Sequence, residues 1–254
     1  MASHPPSHCC TVGVVHEGTP TGSLTTIGSD ISTYIARPPS SSSSSSTKSN
    51  KAILILTDVI GHEFVNAQLI ADQFAANGYL VLMPDLFHSD PIPLNRPAGF
   101  DLQKWLKGPP GHLPDTVDPV VSTALKELKE KYGAQRIGAV GYCFGGKYVC
   151  RFMAEGKGVD VGYTAHPSFV EVEELKGIRG PISIAAAETD QIFTVEKRHE
   201  SEVVLKEMKA TYQLNLYSGV EHGFAVRTDI SSKERKFAKE AAFEQAVTWF
   251  NEWL

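Results

Sequence analysis

Ile137-Gly-Ala-Val-Gly-Tyr-Cys-Phe-Gly-Gly146 is the stretch from which the fold is read. An apolar run, Ile137 to Val140, predicts a strand, and the residues from Phe144 to about Glu155 predict a helix. Between them, Gly141-Tyr-Cys-Phe-Gly145 follows the pattern Gly-x-nucleophile-x-Gly of a sharp strand-to-helix turn that lifts a reactive side chain clear of a sheet edge. Glycines two residues either side of that side chain let backbones approach where a Cβ would clash. The reactive position holds Cys143, which directs the chemistry toward a thiolate nucleophile.

Working outward, the chain alternates strand and helix signals. Asp30 to Arg37 alternates like a short strand at a sheet edge, and Ala52 to Thr57 is a continuous apolar run of the kind buried on both faces. A helix is expected over 66–77, ending before Gly78, and a strand over 79–83, stopped by Pro84. Residues 88–115, rich in Pro and Gly, read as an excursion over the C-terminal edge of the sheet, with a short amphipathic piece at 100–107. A helix over 116–132 precedes the elbow strand, and strands at 159–165, 181–186 and 212–217 follow it. Helices at 195–210 and 233–254 complete the pattern. This rhythm predicts an α/β protein of three layers, a mostly parallel sheet with helices on both faces, as in the α/β-hydrolase fold.

Composition agrees with one domain over 1–254, since 254 residues are enough for a well-buried α/β core. Residues 1–25 read as an irregular lead-in, and 38–50, with seven serines at Ser40–Ser46, as a mobile surface loop. A net charge of -5 gives no electrostatic reason to expect nucleic acid or an anionic membrane. No apolar run reaches the roughly 20 residues of a membrane span, and Met1 to Cys10 lacks the pattern of a signal peptide. The cysteines (Cys9, Cys10, Cys143 and Cys150) suggest no disulfide framework, so a reducing, cytoplasmic setting is expected, with the protein a monomer or homodimer.

A nucleophile at the elbow needs a base, and the base needs an orienting group, in the order nucleophile, acid, His. Asp190 lies just past one predicted strand, with Glu188 the neighbouring carboxylate, and His222 just past the last. Strand ends on one edge of a parallel sheet meet, so Cys143, Asp190 and His222 are the expected triad. A helix N-terminus favours the thiolate, and the backbone N–H groups of Phe144 and Val59 are expected to form the oxyanion hole. An acyl-enzyme thioester would follow, hydrolysed by water activated at His222. His62, His88, His112 and His166 show no metal-ligand spacing, so no metal is expected. Tyr142, Phe87, Trp105 and Phe193 are candidates for an apolar pocket wall, beside His166.

Gly141-Tyr-Cys-Phe-Gly-Gly146, Asp190 and His222-Gly-Phe224 together resemble the dienelactone hydrolase (carboxymethylenebutenolidase-like) family, as do Thr57 to Gly61 and Met83-Pro-Asp-Leu86. The resemblance runs from about Ile31 to the C-terminus and implies hydrolysis of a small lactone or activated ester, without organic cofactor or metal. Family members hold the thiol with a Glu in the loop after the early strand. The matching residue here is Asp58, one methylene shorter, with Glu63 nearby. The family's arginines, which bind the substrate carboxylate, make Arg227 and Arg96 candidates. Alternative readings are a broad carboxylesterase or thioesterase on the same triad, or a non-catalytic member that binds a ligand without turnover.

Overall fold

The computed structural model describes residues 2–39, 50–97 and 99–254. The expectation for the Ser40–Ser46 tract lies outside the described residues. After a 3-10 turn at His8–Thr11 come β1 (Ser23–Ile27), β2 (Ile31–Ala36), β3 (Lys51–Leu56), α1 (Val65–Ala76), β4 (Leu80–Pro84), α2 (Leu102–Lys107) and α3 (Pro114–Glu130). The second half runs β5 (Arg136–Tyr142), α4 (Gly145–Phe152), β6 (Val161–Ala165), α5 (Val172–Gly177), β7 (Ile182–Thr189), α6 (Val195–Glu207), β8 (Tyr212–Glu221), α7 (Phe224–Arg227) and α8 (Lys233–Trp253).

Eight strands form one sheet in the order β1-β2-β4-β3-β5-β6-β7-β8. The β1–β2 and β2–β4 pairs are antiparallel, and every later pair is parallel. β2 was expected at the edge. The structure places it one strand in, because β1 pairs along its free side from Ser23↔Ile35 to Ile27↔Ile31. The sequence of β1, Ser-Leu-Thr-Thr-Ile, is too short and polar to announce a strand, and only its last residue is buried.

Side-chain alternation shows the three layers. A Cβ on Gly138 would meet Phe250 of α8, whereas one on Gly141, three residues along β5, would meet Val149 of α4. On β6, Gly162 faces Val149 and Met153, while the next residue, Tyr163, donates its hydroxyl to Ala242 O of α8 at 2.7 Å. Residues an odd number apart on a strand lie on opposite faces, so α4 and α8 sandwich the sheet. α1 joins α8 through Phe74, whose ring lies 4.8 Å from that of Phe243. On the other face, Arg151 of α4 pairs with Asp118 of α3 at 2.8 Å. The central strands β3 and β4 are buried almost throughout, as their continuous apolar sequences require.

The segment before β1 is irregular but not loose. Ala2 N–H donates to Val170 O at 2.7 Å, His4 N–H to Ile192 O at 2.9 Å, and Asn95 N–H to Thr11 O at 2.7 Å. Further on, Val14 N–H bonds Arg227 O at 2.9 Å, and Asn66 Nδ2 donates to Val14 O at 2.9 Å. These bonds stretch residues 2–14 across loops that follow the parallel strands, the edge where such sheets carry their sites. Ala2, Ser3, Cys10 and Thr11 are buried as a result.

Candidate active site

The β5–α4 turn has the geometry its glycines require. Cys143 adopts φ +48°, a left-handed conformation that costs a non-glycine residue about 1–3 kcal/mol. Three backbone bonds hold it there: Cys143 N–H to Ala165 O at 3.2 Å, Gly146 N–H to Cys143 O at 3.0 Å and Ser168 N–H to Cys143 O at 2.9 Å. A Cβ on Gly145 would stand 1.9 Å from Leu56 O, and one on Gly146 2.6 Å from Thr164 Oγ1. The backbone therefore packs against β3 and β6 in a way no side chain would permit. Cys143 is buried and looks onto Ser168 Oγ, 3.6 Å from its sulfur.

Asp190 and His222 arrive from the ends of β7 and β8. His222 Nδ1 lies 2.9 Å and 3.0 Å from the two Asp190 carboxylate oxygens. That carboxylate also accepts the N–H groups of Ile192 at 2.7 Å and Phe193 at 3.0 Å, so it is fixed from two directions. One ligand atom each of Cys143, His222 and Cys10 lies within 4.8 Å of the other two. Glu188, the neighbouring carboxylate, instead accepts Gly219 N–H at 2.7 Å. Sequence reasoning missed Cys10, whose sulfur stands 3.5 Å from His222 Nε2. Nothing in the polar segment around Cys9-Cys10 signals a place in the site, since the contact spans more than 200 residues of chain.

Charge is arranged around the thiol. Asp58 and Arg227 form an ion pair with both side chains 1% exposed. The rest of the guanidinium donates to Val12 O at 3.0 Å and Cys9 O at 3.2 Å. Glu63, the alternative to Asp58, is 68% exposed and points to His62. Burial raises the Asp58 carboxyl above its usual range, against the pull of Arg227. Burial likewise pushes the Cys143 thiol up, but the Cys10 hydrogen bond and the charges of His222 and Arg227 outweigh it and hold the thiol well below its ordinary value. His222 resists the opposite effect of burial: Asp190 and Cys143 raise it to about 10. Asp190 is held low, despite its burial, by His222 and the two N–H donors. These shifts favour a thiolate at Cys143 and an imidazolium at His222 beside the Asp190 carboxylate.

His166, at φ +40° after β6, is wholly buried with its ring 4.9 Å from that of His222. Among the described residues neither of its nitrogens has a hydrogen-bond partner. Burial and the charges of His222 and Arg227 keep it neutral. Tyr142 lies behind it, ring centroids 6.1 Å apart. Phe87, Trp105, His112 and Phe144 form an aromatic cluster on the Phe144 side of the elbow. Phe193 is buried beside Asp190. The remaining sequence candidates are engaged elsewhere. His62 bonds Ser32 Oγ at 2.8 Å, His88 meets Thr116 O at 3.3 Å, His112 meets Asp90 at 3.1 Å, and Arg96 donates to Phe100 O at 3.4 Å. A pocket of about 180 Å³ reaches His222 and Arg227 from outside, past Val12, Gly13 and Gly223.

A parallel-sheet core, a left-handed Cys at the elbow after β5, and a His–Asp pair from the two following strand ends define an α/β-hydrolase. Comparison with known proteins narrows the class. The dienelactone hydrolase family model matches residues 31–254, and the chain belongs to that family. Hydrolase tropI of Talaromyces stipitatus is 54% identical over 100% of this chain and 99% of its own. Dienlactone hydrolase 1 of Gibberella moniliformis is 32% identical over 100% and 96%. Among solved structures, a dienelactone hydrolase-like promiscuous phosphotriesterase from metagenomic libraries superposes with TM-score 0.71 at 14% identity, covering 92% of this chain and 98% of that one. The protein is an ester or lactone hydrolase. No helix among the described residues is long and apolar enough to cross a membrane.

Proposed function

We propose that the protein hydrolyses small lactones or activated esters through a thioester on Cys143. The observation that carries this reading is the His222–Asp190 bond at 2.9 Å, placed beside a cysteine held at φ +48°. The Cys143 thiolate attacks the substrate carbonyl carbon, and the N–H groups of Phe144 and Val59 receive the developing oxyanion. As the tetrahedral intermediate collapses, the His222 imidazolium protonates the departing oxygen. Neutral His222 then takes a proton from water, which attacks the thioester and releases the acid and the thiolate. Asp190 keeps the imidazole oriented and stabilises its charged form. In a lactone the departing oxygen stays tethered, so ring opening yields a single hydroxy- or oxo-acid.

Asp58, rather than Glu63, is the carboxylate assigned to the thiol's surroundings, since Glu63 faces solvent and Asp58 shares Arg227 beneath the site. Arg227 would be the anchor for an anionic substrate, released from Asp58 when a substrate carboxylate takes the pairing. His166 and Tyr142 would form the wall beside the acyl group. Because neither Cys143 nor the neighbouring Cys10 has solvent exposure, entry of substrate requires the segment around Cys9 to Gly13 to give way.

Mass spectrometry after brief exposure to an enol-lactone, an aryl acetate and an acyl thioester tests the reading. The expected result is one acyl group on Cys143 from at least one substrate, and no turnover by Cys143→Ala. An acyl group on Cys10, or turnover that survives Cys143→Ala, would overturn it.

A further inference from the structure

The contact between Cys10 and His222 places three soft-metal ligands in one buried cluster, although they come from the N-terminal segment, the elbow and the last strand end. We propose that Cys10, Cys143 and His222 form a zinc site, in which a bound Zn²⁺ withdraws the elbow thiolate and silences the enzyme. A tetrahedral zinc with Zn–S of about 2.3 Å and Zn–N of about 2.0 Å sets its sulfurs about 3.8 Å apart and each sulfur about 3.5 Å from nitrogen. Cys10 Sγ and His222 Nε2 already stand 3.5 Å apart, and no ligand atom of the three is more than 4.8 Å from another.

The surroundings fit a metal as well as the distances do. A zinc-bound histidine almost always donates its other ring N–H to a carboxylate, a backbone carbonyl or water, which fixes its tautomer and orientation. His222 makes that bond to Asp190 at 2.9 Å, leaving Nε2 directed at Cys10. Two thiolates and an imidazole select zinc over magnesium or calcium, which require oxygen ligands. Zinc takes both sulfurs as thiolates and Nε2 of His222 without its proton, so binding releases to solvent whichever of these protons the ligands carry.

The tertiary structure also fixes where Cys10 sits. Its turn is tied back by Cys10 N–H to Ser7 O at 3.1 Å, with Thr11 O and Val14 N–H anchored to Asn95 and Arg227. Cys10 is therefore held against the site on both sides rather than carried there on a free tail. Of the three ligands, His222 borders a pocket of about 180 Å³. Three protein ligands leave one tetrahedral position for water. The ligand site rests on geometry alone, whereas the silencing of the enzyme rests on Cys143 being the nucleophile, so metal binding and loss of turnover are read separately.

Titration of the full chain with Co²⁺, followed by Zn²⁺, reads the site without turnover. The expected result is one Co²⁺ per chain with thiolate-to-cobalt charge-transfer absorption, displaced by Zn²⁺. Cys10→Ser should weaken zinc binding by at least about 100-fold, more than the loss of an outer partner costs. Cys9→Ser should leave it unchanged. X-ray absorption of the wild-type zinc form should give two sulfur neighbours and at least one imidazole, which keeps the inference testable if Cys10→Ser does not fold. Zinc at one equivalent should stop ester hydrolysis, and a chelator should restore it. Absence of charge-transfer absorption, equal affinity in Cys10→Ser, or a zinc shell of nitrogen and oxygen alone would overturn the site.

Discussion

Replacing Arg227 by Met removes one half of a salt bridge whose two side chains are each 1% exposed. Arg227→Met leaves the Asp58 carboxylate buried with, among the described residues, only Ile60 N–H, at 3.1 Å, to stabilise it. Breaking a buried pair from one side costs about 3–5 kcal/mol, because the orphaned charge keeps its desolvation penalty. With a urea slope of about 2–3 kcal/mol/M, the unfolding midpoint should fall by roughly 1–2.5 M. The deficit should also depend on pH. Without arginine, burial and the nearby Cys143 raise Asp58 against the Ile60 N–H alone, so its folded pKa rises further above the unfolded value of about 3.9. A carboxyl with a raised folded pKa favours folding at low pH and loses that contribution as pH rises through it. The deficit of Arg227→Met should therefore be greatest near pH 7 and shrink toward about pH 4. Arg227→Met also loses the bonds to Val12 O and Cys9 O, so Asp58→Asn/Arg227→Met, which loses them too, isolates the charge. That double variant should be less destabilised than Arg227→Met at pH 7. A loss below about 1 kcal/mol, a deficit that does not change with pH, or a double variant costing the sum of both singles would refute the reasoning.

Two further outcomes are expected. The rate at which iodoacetamide labels Cys143 should not climb through the ordinary thiol range at about 8.5, since the Cys10 hydrogen bond and the charges of His222 and Arg227 hold its pKa well below the ordinary value despite burial. Cys150, buried and pushed up to about 12, should react only after unfolding, and a Cys143 rate that climbs through an ordinary thiol titration near 8.5 would contradict the ion pair. Asp190→Asn should leave the fold intact by circular dichroism but lower ester turnover on the order of 10³–10⁴-fold, because an amide neither orients the imidazole nor stabilises its charge. Activity within tenfold of wild type would remove Asp190 from the triad.

The βα alternation, the longer helices and the nucleophile elbow were legible because each rests on local pattern. Continuous apolar runs made β3 and β4 recognisable, and Gly141 and Gly145 marked the elbow by the conformations they permit. Asp190 and His222 were legible through topology, since parallel strands deliver their C-terminal ends to one edge. β1 was not, because its polar residues pair through the backbone and bury little side-chain surface. α5 and α7, only six and four residues long, left too little periodicity to read.

The sequence by itself determined a three-layer α/β fold, with Cys143, Asp190 and His222 as the candidate triad. Only the tertiary structure decided what surrounds them. It paired Asp58 with Arg227, turned Glu63 to solvent, left His166 buried without a hydrogen-bond partner among the described residues and set Cys10 against His222. The physical reason is the range of the forces involved. Strand, helix and turn preferences act over a few neighbouring residues and leave a mark in local sequence. Ion pairs and thiol contacts act through space, between segments whose separation along the chain carries no record of their meeting.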